Sequence, residues 1–228
     1  MSAFSWLMVL IPLASAGDPA AVQAELDAEE GWTLHAQHSE SGITVYSKPI
    51  VAAGVLGFKG IKTLAPGVTS DALLTLITDV GKHDDFNDAL EDSVVFHQEG
   101  ETTEYYQVLK PPPLVPVSAR FWLSRGEALR DIDGVEGHHK RIWNSLSPDA
   151  RPEVRAELSE RYPKAMELVS THGSWEMIPA GDGTTTLVYR SVGDPGGAVP
   201  PAMVALMSGR LLPSTMVSFE SAALQQRD

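Results

Sequence analysis

The segment from Thr184 to Leu224 constrains this chain more than any other. Thr184-Thr185-Thr186-Leu187-Val188-Tyr189-Arg190-Ser191-Val192 is rich in β-branched residues and reads as a strand, and Asp194-Pro195-Gly196-Gly197 then supplies permissive turn residues. Pro200 and Pro201 suit the first turn of a helix, where a missing N–H costs little. Beyond them Met203, Leu206, Met207, Leu211, Met216, Val217, Phe219 and Leu224 form an apolar surface of flexible side chains. A straight helix from Pro201 to Leu224 would be on the order of 35 Å long, enough to cross a sheet. Pro213 is expected to kink or divide it after Leu212. A helix of this kind must lie on something apolar, either a sheet or a ligand.

The rest of the chain supplies the sheet. Asp18 is a fitting N-cap for a helix over 19–30, with Val22 and Leu26 on one face. Strands are expected at 34–38, 43–48 and 55–64, then a helix at 72–77 capped by Thr69-Ser70-Asp71. Further strands follow at 93–97, 103–109, 120–129, 137–146, 172–178 and 184–192. In the strand at 137–146, alternation puts His138, Lys140, Ile142 and Asn144 on one face and His139, Arg141, Trp143 and Ser145 on the other. The two adjacent histidines therefore do not converge on one metal. The charged stretch 147–166 reads as a solvated helix or loop with no chemistry of its own.

Charge and composition remove several function classes. Asp and Glu outnumber Lys and Arg by 30 to 17, a formal charge of -13, which argues against nucleic acid because phosphate-tracking surfaces need clustered positive charge. No cysteine is present, so disulfides, thiol nucleophiles and Cys-ligated zinc are excluded. Residues 1–16 carry no charged side chain, and Phe4 to Leu13 is apolar before Ala14-Ser15-Ala16. That pattern predicts a secretory leader cleaved after Ala16, an exported protein in the periplasm or outside the cell, and one domain over 17–228. His83-Asp84-Asp85-Phe86-Asn87-Asp88 is dense in oxygen and nitrogen ligands, but its spacing fits no metal motif, so it reads as a solvated acidic loop and no metal is assigned.

Lys110-Pro111-Pro112-Pro113-Leu114-Val115-Pro116-Val117 cannot be a central strand or a helix, because its prolines delete N–H donors. It is either a rigid connector or an apolar gate. Taken with Gly42-Ile43-Thr44-Val45-Tyr46, Phe58-Lys59-Gly60, Tyr105-Tyr106, Val117-Ser118-Ala119-Arg120, Gly173-Ser174-Trp175 and Asp194 to Pro200, the order of elements resembles the START (StAR-related lipid transfer) domain of the wider helix-grip superfamily. The resemblance implies an α+β fold in which a curved antiparallel sheet wraps a long C-terminal helix around an internal hydrophobic cavity. Where that family often has an acidic residue after the signature arginine, this chain has Phe121, so Arg120 is left to hold a ligand head group, a different carboxylate or water.

On this likeness the ligand site is expected at Tyr106, Arg120, Trp122 and Tyr189, with Met203, Leu206 and Met207 on a lid. Pro112, Leu114 and Val115 form the expected gate, and Asp194, Gly196 and Gly197 the lid hinge. The expected partner is a lipid or sterol, taken up in transient contact with a membrane, without cofactor. An enzyme of the polyketide cyclase kind is the alternative, and would need an acid or base among His138, His139, Tyr106, Tyr189 or Arg190 aimed into the cavity. No Gly-x-Ser-x-Gly elbow, phosphate loop or dinucleotide fingerprint occurs, and a non-catalytic binder is expected. A third possibility is an interaction module whose cavity is filled by its own side chains.

Overall fold

Local signals start most of the elements. Asp18 accepts the Ala20 N–H at 3.1 Å and opens α1, Pro19–Asp27, whose Val22 and Leu26 are fully buried. Strands β1 (Thr33–His38), β2 (Ile43–Ile50) and β3 (Val55–Thr63) form a meander. Helix α2, Ser70–Thr78, follows, capped by the Thr69 hydroxyl on the Ala72 N–H. The computed structural model describes residues 18–111, 117–196, 199 and 201–226, with backbone alone at 201–207. The expected leader, 1–16, and the expected gate residues Pro112, Leu114 and Val115 lie outside the described residues.

After α2 come a one-turn helix α3 (His83–Phe86) and a second meander: β4 (Leu90–Glu99), β5 (Thr102–Leu109), β6 (Arg120–Leu129) and β7 (His139–Ser145). Helix α4 (Pro152–Arg161), the short β8 (Met166–Glu167), β9 (Ser170–Pro179), β10 (Thr185–Asp194) and α5 (Pro201–Gln225) complete the chain. The strand order is β1-β2-β3-β10-β9-β7-β6-β5-β4, with β8 joined in parallel to β6. The closing hairpin β9–β10 thus inserts between the two meanders and makes one curved antiparallel sheet, the expected α+β helix-grip arrangement.

Helix α5 crosses the concave face. Leu212, Met216, Phe219 and Ala223 are buried there with Phe58, Leu187 and Trp175 from the sheet and Leu73 and Ile77 from α2. Close contact depends on Gly60 of β3: a Cβ there would stand 2.4 Å from Leu212 Cδ2 and 2.6 Å from Met216 Sδ. An ion pair between Lys62 and Glu220 locks the far end of α5 to β3, and the second oxygen of Glu220 accepts the Ala65 N–H at 2.8 Å.

The convex face carries a different chemistry. Arg190 of β10 donates to Glu176 at 2.6 Å and to Glu29 at 3.0 Å, and Lys59 donates to Glu29 at 2.9 Å, tying the segment after α1 to the sheet. Burial pushes the Glu176 carboxyl up, but hydrogen bonds from Arg190 and His138 outweigh it and hold the group below the ordinary carboxylate range. Its contribution to stability is therefore present above that range and lost as pH falls through its lowered value.

Three expectations are corrected. Pro213 does not divide α5, which runs unbroken from Pro201 to Gln225, because apolar side chains on both sides of the proline stay buried against the core and outweigh one missing backbone bond. The stretch 147–166 is not merely solvated: Leu158 of α4 is buried on the convex face against Val108, Phe121 and Leu123. The acidic run at 83–88 is not a solvated loop either, since His83 is 5% exposed and built into the core.

Candidate ligand cavity

Between α5 and the concave face a cavity of about 240 Å³ remains, bounded by β5, β6, β7, β9, β10 and α3. Its floor is aromatic. Tyr189 stacks on Trp175 with ring centroids 4.0 Å apart and on Trp143 at 5.7 Å, and Trp175 meets Phe219 of α5 at 4.9 Å. Burial, and then the neighbouring Tyr105 phenol, pushes the Tyr189 phenol up, so it stays protonated. Leu211, Leu212 and Leu168 line other parts of the wall. A chamber of about 150 Å³ shares Leu109, Leu168, Gly193, Ser208 and Leu211 with the cavity and runs past Val117, Pro195 and Val199.

Polar groups occupy the wall formed by α3, β5 and β7. His83 Nε2 lies 3.1 Å from the Leu76 carbonyl, which only accepts, so Nε2 carries the proton and Nδ1 takes the Gln107 amide at 3.0 Å. Gln107 also donates to the Ser93 hydroxyl, which donates to the Val80 carbonyl at 2.6 Å. Burial first, and then the nearby Arg141 charge, pushes the His83 imidazole down to about 3. It is neutral in the fold.

That shift has a sign. Between about pH 6.5, the ordinary value, and about 3, the unfolded chain binds a proton at His83 that the folded chain does not, so stability falls as pH falls through this window. The variant His83→Gln is expected to flatten that loss. Urea midpoints for the two proteins at pH 7 and pH 5 read it, and equal slopes would refute it.

Arg141 of β7 stands beside this group. It is 2% exposed, its guanidinium lies 5.2 Å from the Tyr105 ring centroid, and neither Nε nor Nη2 has a hydrogen-bond partner among the described residues. Gly126 of β6 makes its room, since a Cβ there would fall 2.4 Å from Nη2.

The expected site residues divide. Trp122 and Tyr189 stand on the cavity wall. Tyr106 does not, which corrects the expectation: strand alternation turns it to the convex face, where its hydroxyl donates to Asp92 at 3.0 Å beside Tyr162 and Arg161. Tyr105, its neighbour, faces inward instead. Arg120 lines the outer chamber, and two of its guanidinium nitrogens bond backbone: Nε donates to the Pro195 carbonyl at 2.9 Å and Nη1 to Ser118 at 2.9 Å and Ala119 at 3.3 Å. Through Nε and Nη1 it clasps the exit of the proline loop, at Ser118 and Ala119, to the corner before α5. In that corner Asp194 Oδ1 accepts the Gly196 N–H at 2.9 Å and Gly196 has φ +64°. The side chains of Met203, Leu206 and Met207, and Gly197, lie outside the described residues.

Sequence reasoning missed His83, Gln107 and Arg141 as wall residues. For Arg141 a signal existed, because it shares a strand face with Trp143; for His83 and Gln107 none did. Among the described residues, no three His, Asp or Glu side chains are grouped to hold a metal ion, and no helix is long and apolar enough to cross a membrane.

No family model matches the chain. A Pseudomonas aeruginosa protein of uncharacterized function is 23% identical over 171 residues, covering 75% of this chain and 76% of that protein. Human StAR-related lipid transfer protein 5 superposes with a TM-score of 0.75 at 14% identity, over 92% of this chain and 95% of its own. The STAR-related lipid transfer protein of Xanthomonas axonopodis gives 0.67 at 18% identity, over 85% and 99%. The Zhui aromatase/cyclase of Streptomyces gives 0.52 at 12%, over 75% and 95%. The chain has the START helix-grip fold, which lipid transfer proteins and aromatase/cyclases share.

Proposed function

We propose that this START-fold chain binds a hydrophobic molecule of the lipid or sterol class in its cavity and exchanges it at a membrane. One observation carries the reading: about 240 Å³ walled by Trp122, Trp143, Trp175, Tyr189 and Phe219 stays open between the concave face and α5, beside the packed cluster of Leu73, Ile77, Met216 and Ala223. Protein interiors close such space unless a ligand uses it, and small-molecule sites are apolar hollows with a few oriented polar groups. Burying an apolar ligand yields about 25 cal/mol per Å² removed from water, enough to drive uptake without chemistry. The space also weighs against a module filled by its own side chains.

The reading is of a binder and not an enzyme. A cyclase needs two titratable groups converging on substrate, whereas His83 has both ring nitrogens engaged and Tyr189 is held protonated. His138 and Arg190 are tied to Glu176 on the convex face, and His139 to Asp71. The proposed route runs through the outer chamber, past Val117, Ser118, Pro195 and Val199. The apolar Met166 and Val169 are exposed beside that corner and would meet the bilayer during exchange. Because the apolar, uncharged run at 1–16 reads as a leader, the activity is proposed to lie in the cell envelope or outside the cell.

Mass analysis of lipids extracted from the mature protein, with transfer between donor and acceptor liposomes, tests the proposal. Bound lipid and transfer are expected; neither, across several lipid classes, would sink it. The hinge has its own test. A Val at position 196 meets positive φ and sits 3.2 Å from Val169 Cγ2 through its Cβ, a strain of about 1–2 kcal/mol carried by the closed corner. Gly196→Val should therefore release ligand faster, by about 5- to 30-fold, in stopped-flow exchange. Unchanged exchange would make the corner merely structural.

A further inference from the structure

Among the described residues lining the cavity, Arg141 is the one ionised side chain, and none is Asp or Glu. Arginine stays charged under all ordinary conditions, and a buried unpaired cation is strongly unfavourable. Among the described residues, none satisfies the edge of the guanidinium formed by Nε and Nη2. The neighbouring polar groups bond elsewhere: the His83 Nε2–H donates to Leu76, Gln107 Nε2 to His83 and Ser93, the Thr171 hydroxyl accepts from Trp143 Nε1, and Asn87 Oδ1 accepts from the Ala89 N–H. The guanidinium is nonetheless held in place, above the Tyr105 ring and against the bare Cα of Gly126.

We infer that Arg141 receives the carboxylate of a long-chain or fused-ring carboxylic acid, bound head-first with its apolar body directed toward the mouth. The inference rests on the cavity being a ligand site and narrows what that site takes. An Nε–Nη2 edge presents two parallel N–H groups at the spacing of two carboxylate oxygens, so one acid satisfies both donors and the charge. An alcohol or ester accepts from one donor and leaves the charge uncompensated. Arg120, at the outer chamber, and Gly126, under Arg141, are six residues apart on β6, on the order of 20 Å of strand. The head therefore sits at the inner end, and the aromatic floor of Trp143, Tyr189 and Trp175 lies along the body. The cavity and its outer chamber are small for a site of this kind, about 300–1,000 Å³ being usual. They suit one chain or one ring skeleton better than a diacyl lipid.

The test uses the wild-type mature protein and displacement of a neutral apolar dye by hexadecanoic acid, methyl hexadecanoate, hexadecanol, hexadecyl phosphate and an uncharged sterol. The acid is expected to bind about 10- to 100-fold more tightly than its ester or the alcohol, the worth of charge-assisted hydrogen bonds. In Arg141→Met that preference should vanish, while the ligand-free variant melts no lower than wild type because a buried unpaired charge is gone. Ester, alcohol or sterol binding as well as the acid overturns the inference and leaves the cavity reading standing. Displacement by none of the compounds overturns both. Tighter binding of the alkyl phosphate overturns the carboxylate assignment, and an acid preference that survives in Arg141→Met overturns the role of Arg141. The wild-type comparison decides the ligand class even if the variant fails to fold.

Discussion

Replacing Gly173 by Val is expected to cost about 3 kcal/mol of stability or more and to collapse ligand binding with it. Gly173 of β9 pairs with Trp143 on one side and Ser191 on the other. A Cβ at this position would stand 2.2 Å from Trp143 Cζ2 and 2.3 Å from the Arg190 carbonyl oxygen. The first obstacle is a ring and the second is backbone, so neither can swing away as a flexible side chain would. Overpacking in a closed core costs about 1–3 kcal/mol and more where backbone must shift. The indole that has to move is part of the stacked floor with Tyr189 and Trp175, so cavity shape changes along with stability. Urea unfolding followed by Trp fluorescence measures the first effect and dye displacement the second. Gly181, with nothing within 4 Å of its would-be Cβ, is the control, and Gly181→Val should shift stability by no more than about 0.5 kcal/mol. Equal midpoints for the two variants would refute the packing argument.

The second large effect is expected at Glu220. Its side chain and that of Lys62 are 10% and 8% exposed, and Glu220 also holds the Ala65 N–H. Glu220→Ala leaves the Lys62 ammonium buried without its partner, and breaking a buried pair from one side costs about 3–5 kcal/mol. The double variant Lys62→Met with Glu220→Leu removes both charges and keeps the volume. It should recover most of the loss, because the pair's own net contribution is small once desolvation is counted, short of the bond to Ala65. If the double variant were as unstable as Glu220→Ala, the cost would lie in packing and not in the stranded charge. Since this pair fastens α5 to β3, Glu220→Ala should also loosen the helix over the cavity. Faster amide exchange along α5 than along β9 would show that.

How far the sequence reached is clearest strand by strand. The segment 120–129 was expected as a strand and β6 is Arg120–Leu129, because alternation and flanking turn signals are local properties. The face shared by His139, Arg141 and Trp143 was legible for the same reason, and all three are buried. Whether a face looks into the cavity is not a local property. Tyr105 and Tyr106 are chemically alike, and only the curvature of the sheet and the helix laid across it make one a wall residue and the other a hydroxyl on Asp92. Helix α3 escaped notice because four residues are too few to carry a period, and it holds by burying His83 against Phe219 and Phe86.

By itself, then, the sequence determined the order of the nine long strands and of the helices α1, α2 and α5, the acidic cysteine-free composition, the strand–corner–helix ending and the helix-grip likeness. All of these follow from neighbours along the chain. Only the tertiary structure decided that Arg120 reaches the Pro195 carbonyl of the corner, that Lys62 finds Glu220 across 158 positions, and that Arg141 Nε and Nη2 find no hydrogen-bond partner among the described residues. A missing partner is a property of everything folded around a charge, and no stretch of sequence contains it.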